Sequence, residues 1–320
     1  MQLSSILGGL EEDHRRRIQE SLALLNLQAV HSAGLQGKVG SLLKEDNSPV
    51  TVIDLLHQSQ LQGLLASRFA GDALICEEPR SLQEQVLEEA TRVSREIYGL
   101  TLAEEIPVLP TQAEVTWILD PIDGTKGFLG GRCFAIALAY FVGDEPFFGA
   151  VAVPGADAQS PRSIDTSLAF AVRGGGAFKA RVSAEGDPDW QPLRSSPWRG
   201  DALRVAVSLA HGGGMSERLE READLELVKL DSQAKYAAVA HDEIDAYMRS
   251  ARDDGYPDVV WDHLPGALVA IEAGCRVCHF DGGEIRFRRE DAVGFRGGFI
   301  CCRDSPSDAL LQRLQGIAVG

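Results

Sequence analysis

Apolar residues recur at helical spacing from residue 10 to residue 34, where Leu22, Leu24, Leu25, Leu27 and Val30 stand among charged neighbours, and the pattern predicts an amphipathic helix. A second helix is predicted from Thr51 through Leu55, Leu56, Leu61, Leu64, Leu65 and Phe69, with Gly71 as its stop. Residues 73–76 read as a short strand and 81–97 as a charged helix. Residues 115–119 (Val-Thr-Trp-Ile-Leu) form a β-rich apolar run, and the Pro and Gly that follow are expected to stop it in a tight turn. Three further β runs follow at 134–142, 147–154 and 167–173, the last leading into a hairpin at Gly174-Gly175-Gly176.

Residues 186–201 hold three prolines and little periodicity, so they read as a connection between two domains, 1–200 and 201–320. Beyond it, runs at 203–209, 225–230 and 237–249 alternate between strand and helix patterns. A helix is predicted at 262–273 and strands near 275–280 and 297–301. The first half is therefore expected to be α+β with antiparallel strands, and the second α/β.

At 320 residues with 44% hydrophobic and 24% charged positions, the composition is that of a soluble globular protein. The net charge of −16 disfavours nucleic acid and anionic membrane as partners, and an anionic substrate would need local cations. The chain has no apolar run of membrane-spanning length, and its short N-terminal apolar segment, followed by Glu11-Glu12-Asp13, does not resemble a signal peptide. Six scattered cysteines do not form a disulfide framework, so a cytoplasmic protein is expected. The sequence leaves the oligomeric state open, with a monomer favoured over an oligomer. Cys275 and Cys278 tempt a metal reading. In a strand, however, positions three apart face opposite sides, and Cys301-Cys302 is adjacent rather than spaced as a second pair.

The chemistry concentrates in Asp120-Pro-Ile-Asp-Gly-Thr125. Two carboxylates three residues apart at the end of a buried strand would raise each other's pKa, an arrangement that a hard divalent cation relieves. A plain turn-capping role is the alternative. An aspartyl-phosphate mechanism would require a single intervening residue, not two. Further acids stand at element ends. Glu77-Glu78 follows a strand and reads either as solvated loop acids or as part of a site. Asp262 precedes a helix and reads as a ligand or an N-cap. Asp54 fits a capping box with Thr51 or reads as a further acid of the site.

Together these segments resemble the lithium-sensitive, Mg²⁺-dependent phosphatases of the inositol monophosphatase superfamily. Asp120–Thr125 is similar to the signature, Glu77-Glu78 to the upstream acidic pair, and Trp261-Asp262 with Gly266 to the C-terminal motif. Asn47-Ser-Pro-Val-Thr51, Asp123-Gly-Thr-Lys-Gly-Phe-Leu129, Ser208-Leu-Ala-His211 and above all Leu230-Asp-Ser-Gln-Ala-Lys-Tyr236 resemble the 3′(2′),5′-bisphosphate nucleotidase branch. The resemblance implies a layered αβαβα sandwich of two domains, 1–200 with most metal ligands and 201–320 with the nucleotide contacts and the last ligand.

It also implies two or three Mg²⁺ held by Glu77, Asp120, Asp123, Asp262 and the Ile122 carbonyl. Asp54 and Thr125, aided by Glu77, would direct the attacking water. Thr125, His211, Asp231, Ser232, Lys235, Arg249 and Asp262 would bind the substrate. The implied reaction converts adenosine 3′,5′-bisphosphate to AMP and extends to 3′-phosphoadenylyl sulfate, with lithium inhibition. An inositol phosphatase using the same metals is the alternative, and a nucleotide-binding regulator without turnover a third. The chain departs from the pattern at Cys76, Pro79 and Gly130, at Gly212–Gly214 after His211, and at the polar residues 241–243.

Overall fold

The structure, a computed structural model, describes residues 1–44, 49–99, 105–154, 166–200, 202–207, 214–222, 224–250, 258–289 and 298–319. The N-terminal part opens with helices α1 (Leu3–Ile6) and α2 (Glu12–Leu35), then a two-stranded ribbon of β1 (Ser41–Leu43) and β2 (Pro49–Thr51). Helix α3 (Val52–Arg68), strand β3 (Ala73–Cys76) and helix α4 (Arg80–Val93) follow, α4 running on into a π turn at Ser94–Tyr98. Next come β4 (Val115–Asp123), α5 (Thr125–Leu129), β5 (Ala135–Val142), β6 (Glu145–Val153), β7 (Ser167–Val172), β8 (Gly176–Arg181) and β9 (Gln191–Leu193). Strands β3 to β9 form one seven-stranded sheet in sequence order, antiparallel except for the parallel β3–β4 pair. Part of the expected connection, Gln191–Leu193, is thus an edge strand.

The remainder supplies β10 (Leu203–Val207), α6 (Gly214–Arg221), β11 (Leu225–Lys229), α7 (Ala234–Ala240), β12 (Ala246–Arg249), α8 (Leu264–Glu272), β13 (Arg276–His279), β14 (Phe299–Cys302) and α9 (Ala309–Val319). The five strands pair in the order β11-β10-β12-β14-β13, with the first three parallel. The run 237–249 divides into the end of α7 and β12. It is apolar on both because α7 lies inside the molecule, with every residue from Ala234 to Ala240 buried.

The layers follow from where apolar faces find partners. Ile18, Leu22, Leu25 and Ala29 of α2, at helical spacing, join Ile53, Leu56, Leu61 and Leu65 of α3 under the aromatic face of the first sheet, where Trp117, Tyr140, Phe148 and Phe170 are buried. At ~1.5–3 kcal/mol for each large side chain removed from water, this face alone outweighs any single polar contact. The opposite face packs on α7 and α8, which also line the second sheet. Helix α8 is buried from Leu264 through Ala270, as a helix between two sheets must be. Helices α6 and α9 cover the far side of the second sheet through Met215, Leu219, Leu310 and Leu314. The order is αβαβα, as expected.

Glycine permits two of these contacts. A Cβ on Gly266 would lie 2.7 Å from the Tyr236 ring, and one on Gly149 would lie 2.9 Å from the Pro265 carbonyl. Cys275 sits in the core between the sheets and Cys278 in the outer core, on opposite faces as the alternation of a strand requires. The Gly174–Gly176 hairpin is present, with Gly174 and Gly176 at φ +70° and +86°. None of the helices of the described residues is long and apolar enough to cross a membrane.

Candidate active site

Cys76 on β3 pairs with Leu119 on β4, and the N–H of the next residue, Glu77, donates to the Leu119 carbonyl at 3.3 Å. That extra rung sets Glu77 beside Asp120 where the parallel pairing of β3 and β4 ends. On the other side, Asp120 pairs with Ala137 and Asp123 with Ala135, so three residue steps on β4 oppose two on β5. The surplus is a β-bulge, and Pro121, with no N–H to lose, suits it. The expected turn after residue 119 is corrected accordingly. The strand continues to Asp123, and the turn comes at Gly124, whose φ of +85° is open to glycine, just before α5.

The bulge is held from beneath by His57 of α3, whose Nδ1 is 3.1 Å from the Pro121 carbonyl. Asp54, one turn earlier, forms the capping box with Thr51. Its Oδ2 accepts from the Thr51 N–H at 2.8 Å and the Thr51 hydroxyl at 2.6 Å, while its buried Oδ1 has no partner. The cap and a free oxygen therefore coexist on one carboxyl group. Thr125 Oγ1 donates to the Ile122 carbonyl at 3.1 Å. No hydrogen bond joins it to Asp54 among those of the described residues.

Four acids face one another here. Burial raises the Asp120 pKa well above the usual carboxylate range, and Glu77, Asp123 and Asp262 raise it further. Burial likewise pushes Asp123 up to about 6 against the opposing pull of Lys235, and it pushes Asp262 up to about 8 with help from Asp123 and Glu77. Asp54 is raised by burial and then by Glu78 and Glu77. Lys44 Nζ lies 2.7 Å from Glu77 and 2.9 Å from Glu78, and these two anions overcome the effect of burial to raise its pKa. Glu78 is locked from behind by Gln58, whose Nε2 donates to its carbonyl at 2.8 Å.

The second sheet's elements close the other wall. Asp262 ends a 3₁₀ turn, Val260–Asp262, and the residue at the N-cap position of α8 is His263, which makes no side-chain cap bond. The carboxylate of Asp262 is thereby released from capping. Gln233 is the clasp: its N–H donates to Asp123 Oδ2 at 2.5 Å, its Nε2 donates to the Trp261 carbonyl at 2.8 Å, and its Oε1 accepts from Gly266 N–H at 2.9 Å. Ser232 before it takes φ +62°, and its Cβ would lie 3.2 Å from a Cβ on Gly124. Lys235 is buried, its Nζ 4.9 Å from the Tyr247 ring centre. Arg249 is held by Asp258 at 2.7 Å.

Glu77, Asp120, Asp123, Asp262, Asp54, Thr125, Ile122, Ser232 and Lys235 thus converge on the end of β4, Arg249 on β12 lies near enough to Asp262 to pull its pKa down, and Asp231 lies 3.9 Å from Arg132. His211, Asn47 and Ser48 lie outside the described residues. Lys44, His57 and Gln233 were not singled out as site residues. A histidine and a glutamine beside Leu55 and Leu56 on a buried helix face are a visible signal for His57 and Gln58. Nothing local marks Lys44.

As the side chains stand, no group of three or more Asp, Glu, His or Cys among the described residues could hold a metal ion. The donors nevertheless suit a hard divalent cation. They are carboxylate oxygens with one backbone carbonyl, Asp120 Oδ1 is buried without a partner, and the acids repel one another. Lys44 Nζ is paired with Glu77 Oε1 at 2.7 Å.

The sequence model of the inositol monophosphatase family matches residues 14–315. A curated relative, 3′(2′),5′-bisphosphate nucleotidase 2 of Candida albicans, is 29% identical over 86% of this chain and 88% of its own. Among solved structures, the Thermotoga maritima IMPase superimposes with a TM-score of 0.65 over 95% of this chain and 97% of its own, at 21% identity. An IMPase/NADP phosphatase complexed with Mg²⁺ and phosphate superimposes with a TM-score of 0.59 over 94% of each chain, at 18% identity.

Proposed function

We propose that this chain, which belongs to the inositol monophosphatase family, removes the 3′-phosphate of adenosine 3′,5′-bisphosphate to give AMP and phosphate, and acts likewise on 3′-phosphoadenylyl sulfate. The observation that carries the reading is the bond from the Gln233 N–H to Asp123. It sets Asp231–Lys235, within the segment whose resemblance is most discriminating for the nucleotidase branch, directly against a carboxylate of the candidate metal site. The likeness to the Candida albicans nucleotidase over most of both chains supports the same substrate.

Glu77, Asp120, Asp123, Asp262 and the Ile122 carbonyl would hold two or three Mg²⁺. When bound, these ions would polarise the phosphate and make water a stronger nucleophile. Thr125 and Asp54 orient the water, and the raised pKa of Asp54 suits it to take the proton. The water oxygen forms a bond to phosphorus as the bond to O3′ breaks, and the proton ends on the departing hydroxyl, with no covalent enzyme intermediate. Lys235 and Arg249, with His211, Asp231 and Ser232, bind the nucleotide. The chain would work as a cytoplasmic monomer of two domains, 1–200 and 201–320.

The test is phosphate release from adenosine 3′,5′-bisphosphate with Mg²⁺, beside inositol 1-phosphate and an Asp120→Asn control. Turnover of the nucleotide in preference to the inositol ester, lost in the control, is expected. Equal inactivity of wild type and control, with the nucleotide still bound, would leave a regulator instead of an enzyme.

A further inference from the structure

A doubly phosphorylated nucleotide brings a second phosphate that the metal-site acids cannot hold, in a chain of net charge −16. The cations around the site are unequally available. Lys44 is held by Glu77 and Glu78 at 2.7 and 2.9 Å, and Arg249 by Asp258 at 2.7 Å. Lys235 is buried, and its charge pulls the Asp123 pKa down. Arg132 differs from all three. Its side chain is 41% exposed, and its nearest carboxylate among the described residues is Asp231, at 3.9 Å from Nη2. Its Nε is buried and has no hydrogen-bond partner among the described residues.

The backbone beneath Arg132 is firmly set. Its N–H donates to the Gly127 carbonyl at 2.8 Å, closing the turn after α5, and its carbonyl accepts from Gln36. Its guanidinium folds back over Gly130, with Nη1 only 2.9 Å from where a Cβ at that position would stand. A residue without a side chain thus leaves the berth that the guanidinium occupies. The group lies between α5, whose first residue is Thr125, and Asp231, two residues before the Gln233 N–H that touches Asp123.

We propose that Arg132 is a specificity residue that joins Lys235 and Arg249 at the phosphate that is not cleaved, exchanging its long contact with Asp231 for a two-pronged contact with that phosphate. A planar guanidinium with unused donors suits a phosphate better than a lysine would, and charge-assisted bonds of this kind are the strong ones. The inference rests on the nucleotidase reading above.

The experiment compares adenosine 3′,5′-bisphosphate with 3′-AMP, which carries the scissile phosphate alone, in wild type, Arg132→Ala, Arg132→Lys and Lys126→Ala with Mg²⁺. Arg132→Ala is expected to raise KM for the bisphosphate roughly ten- to hundredfold, with a much smaller change in kcat. KM for 3′-AMP should move less than twofold, so the preference for the bisphosphate collapses. Arg132→Lys should recover part of it, and Lys126→Ala should keep the wild-type preference. Equal effects of Arg132→Ala on both substrates, no effect on either, or a loss of preference in Lys126→Ala instead would overturn the assignment. A wild type that hydrolyses inositol 1-phosphate and neither nucleotide would overturn the nucleotidase reading and this inference together. Wild-type nucleotidase activity unchanged in Arg132→Ala would overturn this inference alone.

Discussion

His57 Nδ1 lies 3.1 Å from the Pro121 carbonyl oxygen, so one side chain of α3 holds the middle of the bulge that separates Asp120 from Asp123. Burial pushes the His57 pKa down to about 4, so the ring is neutral near pH 7. A carbonyl can only accept, which assigns the ring proton to Nδ1 and leaves Nε2 facing the Ser32 hydroxyl at 3.1 Å. Ser32 on α2 and His57 on α3 therefore set the shape of β4.

Replacing His57 by alanine should leave the Pro121 carbonyl buried without its donor, at a cost of ~1–3 kcal/mol. The melting temperature is expected to fall and Mg²⁺ to bind more weakly by calorimetry. His57→Asn, which retains a donor, should recover part of the metal affinity. Wild-type metal affinity in His57→Ala would refute the positioning role.

Asp54 can be split into its two duties. Asp54→Asn keeps an oxygen for the Thr51 N–H and hydroxyl, so the helix cap should survive with little change in melting temperature. If Asp54 takes the proton as proposed, the acceptor is lost, and kcat should fall by roughly 10²- to 10⁴-fold. Asp54→Ala should lose both, the cap contributing ~1 kcal/mol. Full activity in Asp54→Asn would return this residue to a purely capping role.

The acids make a signed prediction for pH. Asp123 and Asp262 have folded pKa values of about 6 and about 8 against an ordinary 3.8, so the folded state binds protons that the unfolded state releases. Their stabilising contribution is complete below the ordinary value and is lost as pH rises through the folded values. Without metal, the melting temperature should fall between about pH 5 and pH 8.5, and saturating Mg²⁺ should flatten that slope. His57 acts with the opposite sign, because its lowered pKa costs stability as pH falls from 6.5 toward about 4. A metal-free melting temperature that rises from pH 6 to 8 would contradict the repulsion among the acids.

Gly266→Ala tests the clasp at Gln233. The added methyl would meet the Tyr236 ring at 2.7–2.9 Å, and Gly266 N–H bonds Gln233 Oε1. A loss of ~1–3 kcal/mol from overpacking is expected by chemical denaturation, with activity falling alongside because Gln233 also bonds Asp123. An unchanged midpoint would show that the ring can move aside.

Local rules made some of this legible in the sequence and left the rest hidden for a physical reason. The helix at Thr51 announces itself because the capping box and the apolar spacing lie within a few residues of one another. The end of β4 does not, because the bulge at Pro121 depends on the register of β5 and on a donor 64 residues away in the chain. Asp262 is ambiguous in isolation, since the residue at the N-cap turned out to be its neighbour His263. The ion pairs of Lys44 with Glu77 and Glu78 span 33 and 34 residues, so no periodicity betrays them. Asp120 and Asp123 are conspicuous because their chemistry is written in one short segment.

Helix α8 has water on almost none of its surface from Leu264 to Ala270, being pressed between β5–β8 on one side and β13 on the other. The two halves of the chain therefore share an interior and cannot be parted cleanly. A fragment ending near residue 200 would bare the small-residue face of Ala135, Ala139, Ala169 and Ala171, and one beginning there would strand α7 and α8. Separating the halves should abolish solubility and dismantle the candidate site together, because Gln233 and Asp262 come from one half and Asp120 and Asp123 from the other.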